Sequence, residues 1–160
     1  ILVLFPTFLI AQEGTEPEDY QVKGNFLYHF GKFVDWPDSA LKGSFQICII
    51  GSDPFGKTLD ESMQGKTIKD KNIQISRMSN AAGAGACQIA FVDSSANAAE
   101  LIAKSKTLPI LTVGESPDFN QKGGMIQFVV QNNKVRFVIN AAAAEKSGLK
   151  ISSQLLKLSM

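Results

Sequence analysis

A catalytic site needs groups that exchange protons, attack a substrate or hold a metal. This chain offers few of them at workable spacing. His29 is the single histidine in 160 residues. A catalytic or metal-bound imidazole needs partners at triad or ligand spacing. No cysteine or second histidine lies near it, and Asp35 is more than a helical turn away. As a lone histidine, His29 suits a pH-sensing role better than a catalytic one. Gly51-Ser52-Asp53-Pro54-Phe55-Gly56 stands between a predicted strand and helix, where α/β proteins often hold phosphate. It has neither the GK[ST] ending of a Walker loop nor GxGxxG, and Asp53 would set a carboxylate where an incoming phosphate should sit. The stretch therefore reads chiefly as a capped turn. Asp93 ends another predicted strand, at a position where parallel sheets gather ligands, but Ser94 and Ser95 beside it suggest a local turn network. Ser52, Asp53 and Asp93 together mark the one candidate crevice for a small ligand. Ser152-Ser153 reads as a helix cap, with no nucleophile elbow around it. No acid, base, nucleophile and metal set converges, so no enzyme, metal site or cofactor is expected.

Cys48 and Cys87 are the two cysteines of the chain. Cys48 falls inside a predicted strand and Cys87 just before another. A bridge requires their Cα atoms within about 7 Å. Two small buried thiols suit the same residues, and the chemistry leaves both options open.

The elements that must position these groups follow from periodicity. Residues 20–34 predict the first helix, with Val22, Phe26, Phe30 and Phe33 at helical spacing and Leu27 and Val34 widening the stripe. Pro37 stops it near Trp36. That many rings cannot all fit one narrow buried face, so Tyr28 and Trp36 are the expected anchors for a protein partner. Phe45–Ile50 is an apolar run without alternation, the pattern of a strand covered on both faces. Gly51 ends it, Ser52 or Asp53 caps the next helix, and that helix runs to Met63. Ile73 and Ile75 mark a second strand, and residues 79–86 a flexible Gly/Ala loop or frayed turn. Ile89–Val92 is a third strand, 96–106 a helix and 110–113 a fourth strand. This αβαββαβ order predicts helices on a largely parallel sheet. The last third changes period: Ile126, Phe128 and Val130 alternate, as do Val135, Phe137 and Ile139, around Asn132-Asn133. Asn tolerates the positive φ of a tight turn, so an antiparallel hairpin is expected. Asn140 caps a helix over 141–147 that Gly148 ends, and Ser152 or Ser153 caps a last one. The fold class is α/β: a single domain with a mixed, mostly parallel sheet flanked by helices.

Net charge is +1 with 19% charged residues, below the usual ~25%. No basic stripe interleaved with aromatics exists, so nucleic acid is not an expected partner. Residues 1–11 are apolar apart from Thr7. The run is too short to span a bilayer and fits the h-region of a secretory signal without its basic start. The expected organisation is signal over 1–12, acidic leader over 13–19 and one domain over 20–160.

Several blocks in order resemble the YfiR/HmsC family of periplasmic regulators. They are VKGNFLYHFGKFVDWP, FQICIIGSDPFG, the cysteine before IAFVD, ILTVGES, GGMIQF and RFVINAAAAEKSGLKISSQLLKL. The resemblance covers about Val22 to Leu158. It implies a small non-enzymatic α/β protein of the periplasm. Such a protein binds the periplasmic domain of an inner-membrane diguanylate cyclase, or of a sensor kinase, and restrains cyclic-di-GMP synthesis and biofilm output. The resemblance also implies a disulfide between Cys48 and Cys87. Some members carry a second cysteine pair in the C-terminal third, which this chain lacks. Pairing with a second copy is compatible with these features. The alternative is a periplasmic small-ligand-binding module of another sensor system, using the crevice near residues 51–56 and Asp93.

Overall fold

The computed structural model describes residues 17–160, so the expected signal lies outside the described residues. Helix α1 (Pro17–Phe33) starts with proline in its first turn, where a missing N–H costs nothing. It therefore begins inside what the sequence marks as leader. Leu27 and Phe30 are fully buried on its inner face. A Cβ added to Gly31 would lie 2.6 Å from Ile68 Cδ1, so this turn of the helix rests directly on the sheet's edge hairpin. The chain leaves the helix before Pro37, and Val34–Asp35 forms β1.

Seven strands follow in one sheet. They are β2 (Phe45–Ile50), β3 (Thr67–Ile68), β4 (Lys71–Met78), β5 (Ile89–Val92), β6 (Leu111–Gly114), β7 (Ile126–Gln131) and β8 (Lys134–Ile139). Their spatial order is β3-β4-β2-β5-β6-β7-β8. Pairing is parallel from β4 through β7 and antiparallel at both edges. The direction of winding reverses at β2, which lies between β4 and β5, so the sheet's switch point is at the carboxyl ends of β2 and β5. A short strand, β9 (Lys150–Ile151), pairs apart from the main sheet with β1.

The unalternating run in β2 has the double-sided burial predicted for it. Ile47 and Ile49 face one core, with Phe30, Phe91, Phe128 and Phe137. Cys48 and Ile50 face the other, with Ala90, Leu101 and Phe119. The predicted hairpin is present: Ile126 pairs with Ile139 and Val130 with Val135. Asn132 and Asn133 both have positive φ, 51° and 60°.

Helices α2 (Lys57–Met63), α3 (Ala99–Ser105), α4 (Ala141–Lys146) and α5 (Ser153–Leu158) complete the fold. Asn140 accepts from the Ala143 N–H and Ser152 from the Leu155 N–H, as their cap roles predict. Other features differ from expectation as well. Helix α2 begins at Lys57 because the Asp53 carboxylate accepts the Phe55 N–H at 3.0 Å and closes a separate turn first. Helix α3 begins at Ala99, where the Asn97 side chain accepts the Ala99 N–H. Residues 81–86 are an ordered 3₁₀ segment in place of a flexible loop or frayed turn. Asn80 accepts the Ala82 N–H, and Ala81 and Ala84 are small enough to bury against the sheet.

Candidate functional surfaces

The switch point holds the expected crevice residues, but they are turned in different directions. Asp93 is 8% exposed, and its carboxylate accepts from both the Ser95 N–H and the Ser95 hydroxyl. The Ser95 and Ser52 hydroxyls are 3.3 Å apart, so Ser52 and Asp93 are joined through one intermediary. Asp53 turns away: its Oδ2 accepts from Arg77 Nε at 2.7 Å. The same guanidinium reaches Asp60 at 2.5 Å and the Gly56 carbonyl at 2.9 Å. Arg77 thus ties the end of β4 to the turn and to α2. Its hydrogen bond holds the Asp60 carboxyl below the usual carboxylate range. A Cβ on Gly51 would come within 2.8 Å of Ala96, so the two loops meet tightly here.

A second polar cluster was not anticipated from the sequence. Lys23 is 2% exposed, and its Nζ lies 2.9 Å from Glu115 Oε2, just past the end of β6. The Tyr20 hydroxyl donates to the same carboxylate at 3.2 Å, and Lys23 Nζ sits 4.5 Å from the Tyr20 ring centroid. Burial first, then the Glu115 charge, pushes the Tyr20 phenol above its ordinary pKa. The available signal was Lys23 itself, which stands one turn before Leu27 on the buried stripe. A lysine on an apolar stripe needs a partner.

The two expected anchors separate. Trp36 is corrected from a surface ring to a core one: it is 6% exposed, stands edge-on to Phe45 at 5.2 Å, and its indole N–H donates to the Gln88 carbonyl at 3.2 Å. The chain turns at β1 and carries the ring inward, where its polar atom finds a partner. Phe26 is partly buried and packs its ring on Phe30 and Phe137. Tyr28 is only partly buried, with Lys32 Nζ at 5.3 Å and Lys66 Nζ at 4.9 Å from its ring centroid. His29 is exposed and stacks on Phe33 at 6.2 Å. Cys48 and Cys87 form a disulfide with Cα atoms 6.0 Å apart, tying β2 to the segment entering β5. Both cysteines are buried.

A family model described as YfiR/HmsC-like matches residues 20–160. The chain belongs to the YfiR/HmsC-like family. No curated protein matches it. Membership in the YfiR/HmsC-like family suggests a periplasmic regulator of cyclic-di-GMP signalling, a regulator rather than an enzyme. Among the described residues, no helix of this YfiR/HmsC-like protein is long and apolar enough to cross a membrane. No group of three or more His, Cys, Asp or Glu among them could hold a metal ion.

Proposed function

We propose that this YfiR/HmsC-like chain is a non-enzymatic periplasmic regulator. It docks on the periplasmic sensor domain of an inner-membrane diguanylate cyclase and restrains the enzyme, lowering cyclic-di-GMP and biofilm output. One structural observation carries the reading. Tyr28 and Phe33, each only partly buried against the core, lie together on α1 with the exposed His29 between them. The polar residues of the switch point, by contrast, are largely engaged with one another and with Arg77. Partly exposed aromatics grouped on a rigid helix suit a protein interface. Satisfied carboxylates and hydroxyls suit a fixed turn. Tyr28 is the anchor in this reading, and Trp36 supports the end of the helix that presents it.

The test uses the oxidised protein and the purified periplasmic domain of a membrane diguanylate cyclase encoded beside it, with calorimetry as the readout. Saturable one-to-one binding is expected. Adding the protein to membranes that carry the full cyclase should lower cyclic-di-GMP production. Binding without any fall in production would remove the inhibitory role. No binding would remove the docking reading.

A further inference from the structure

Resting on the regulator reading only for the partner's identity, we propose that the outer face of α1 receives a carboxylate-bearing segment of a protein partner. Lys32 and Lys66 pair with its acids, and Tyr28 and Phe33 contact its apolar part. The inner stripe of α1, Lys23-Leu27-Phe30, is consumed by the core and by Glu115. Tyr28 and Lys32 form the next stripe, and His29 and Phe33 another, each spaced four residues apart and so adjacent on the surface. Both ammonium groups lie within 5.3 Å of the one Tyr28 centroid, so a single short segment can reach both.

Neither Lys32 nor Lys66 is in an ion pair among the described residues; each sits on the ring instead. A cation held over an aromatic face keeps its N–H donors free for an acceptor. The nearby Lys69 is different. It contacts Asp35 and the Lys32 carbonyl, both at 3.2 Å, so the adjacent acid is already engaged. The whole chain nets only +1, so the unpaired positive charge of this face is local. Its complement is a pair of carboxylates beside an apolar group.

The size of the patch decides against other anions. Polybasic membrane attachment uses clusters of about four to eight cations. Non-specific nucleic-acid binding uses about six to ten phosphate contacts. Two ammonium groups around a ring match neither. They match the rim charges and central aromatic of a protein interface.

Two measurements test the proposal independently. In the first, the isotope-labelled, disulfide-intact protein is titrated with a short synthetic peptide of glutamates around one tryptophan, and with the same peptide carrying glutamines. Amide shifts should move at Tyr28, Lys32, Phe33 and Lys66 with the glutamate peptide alone. They should vanish in a Lys32→Gln/Lys66→Gln variant whose unfolding midpoint is unchanged. Equal shifts from the glutamine peptide, shifts confined to another surface, or displacement of the peptide by phosphatidylglycerol vesicles would overturn the proposal. In the second, Lys32→Glu/Lys66→Glu should weaken binding of the cyclase sensor domain at least about tenfold and flatten its salt dependence. A Lys134→Glu/Lys157→Glu control on other elements should not. Unchanged sensor binding by the α1 variant would also overturn it. If the wild-type chain binds no sensor domain while the glutamate peptide still maps to α1, the regulator reading falls and the surface assignment stands.

Discussion

Trp36 and Tyr28 look alike in the sequence, as two large amphipathic rings near the end of one helix, yet Trp36 is buried just past that end and Tyr28 is only partly buried on it. The difference is set by β1, a pairing with residues far along the chain that periodicity in α1 could not reveal. It makes a clear prediction. Trp36→Ala should cost about 3–5 kcal/mol in a urea titration, the usual cost of truncating a buried aromatic. Tyr28→Ala should cost no more than about 1 kcal/mol and weaken partner binding by about 2 kcal/mol or more. Comparable destabilisation by both variants would defeat the assignment of Tyr28 as an anchor. The Lys23–Glu115 pair was legible by half. The lysine on an apolar stripe announces that a partner must exist, but its identity depends on where the end of β6 lands in space. Asp53 shows the same limit, because the residue that claims it, Arg77, is on a different strand.

Elements whose signals are local were read correctly: the double-sided strand β2, the β7–β8 hairpin and the caps Asn140 and Ser152. Two others were not, the delayed start of α2 and the 3₁₀ segment over 81–86, where the Asp53 and Asn80 side chains each accept a backbone N–H two residues on. The hairpin permits a test of its turn. Both Asn132 and Asn133 occupy the left-handed region, where glycine is unstrained and a β-branched residue is costly. Asn133→Gly should hold or slightly raise the unfolding midpoint, and Asn132→Val should lower stability by about 1–2 kcal/mol. The reverse order would refute the two-residue turn. At the other edge, Gly31→Ala would drive a methyl into Ile68 and should cost about 1–3 kcal/mol. The Arg77 bridge carries a pH signature. The Asp60 carboxyl is held below its ordinary 3.8, chiefly by the Arg77 hydrogen bond. Its stabilisation is therefore complete above that value and is lost as pH falls below it. Because Asp60 is half exposed, the contribution is at most about 1 kcal/mol. Acid titration of Arg77→Gln should show a correspondingly shallower loss of stability below pH ~4. A slope equal to wild type would show that the bridge contributes nothing.

At the scale of the whole molecule, the α/β class and the mixed sheet were evident from the order of periodic segments, whereas the strand order was not, since parallel neighbours are chosen by long-range packing. The disulfide locks one of those neighbour choices, β2 beside β5, across 39 residues. The chain-entropy model gives about 3–4 kcal/mol for a loop of that length, so a Cys48→Ala/Cys87→Ala variant should lose stability of that order. Both sulfurs are buried, so reduction of the native protein by dithiothreitol should be no faster than its opening. Rapid reduction with the fold intact would contradict this. The pairing of β1 with β9 has a different consequence, one of timing. Helix α1 is made before the other described elements, yet Val34 at its end waits for Ile151, and most of the described chain lies between them. A fragment that stops before Lys150 cannot close this contact, so β1 is paired only after the main sheet has been made. Until then the end of α1 is held by its core contacts, Leu27, Phe30 and Gly31 on Ile68, without its strand partner. A chain cut just before Lys150 should therefore keep residues 17–149 yet leave Val34 and Asp35 without their strand partner.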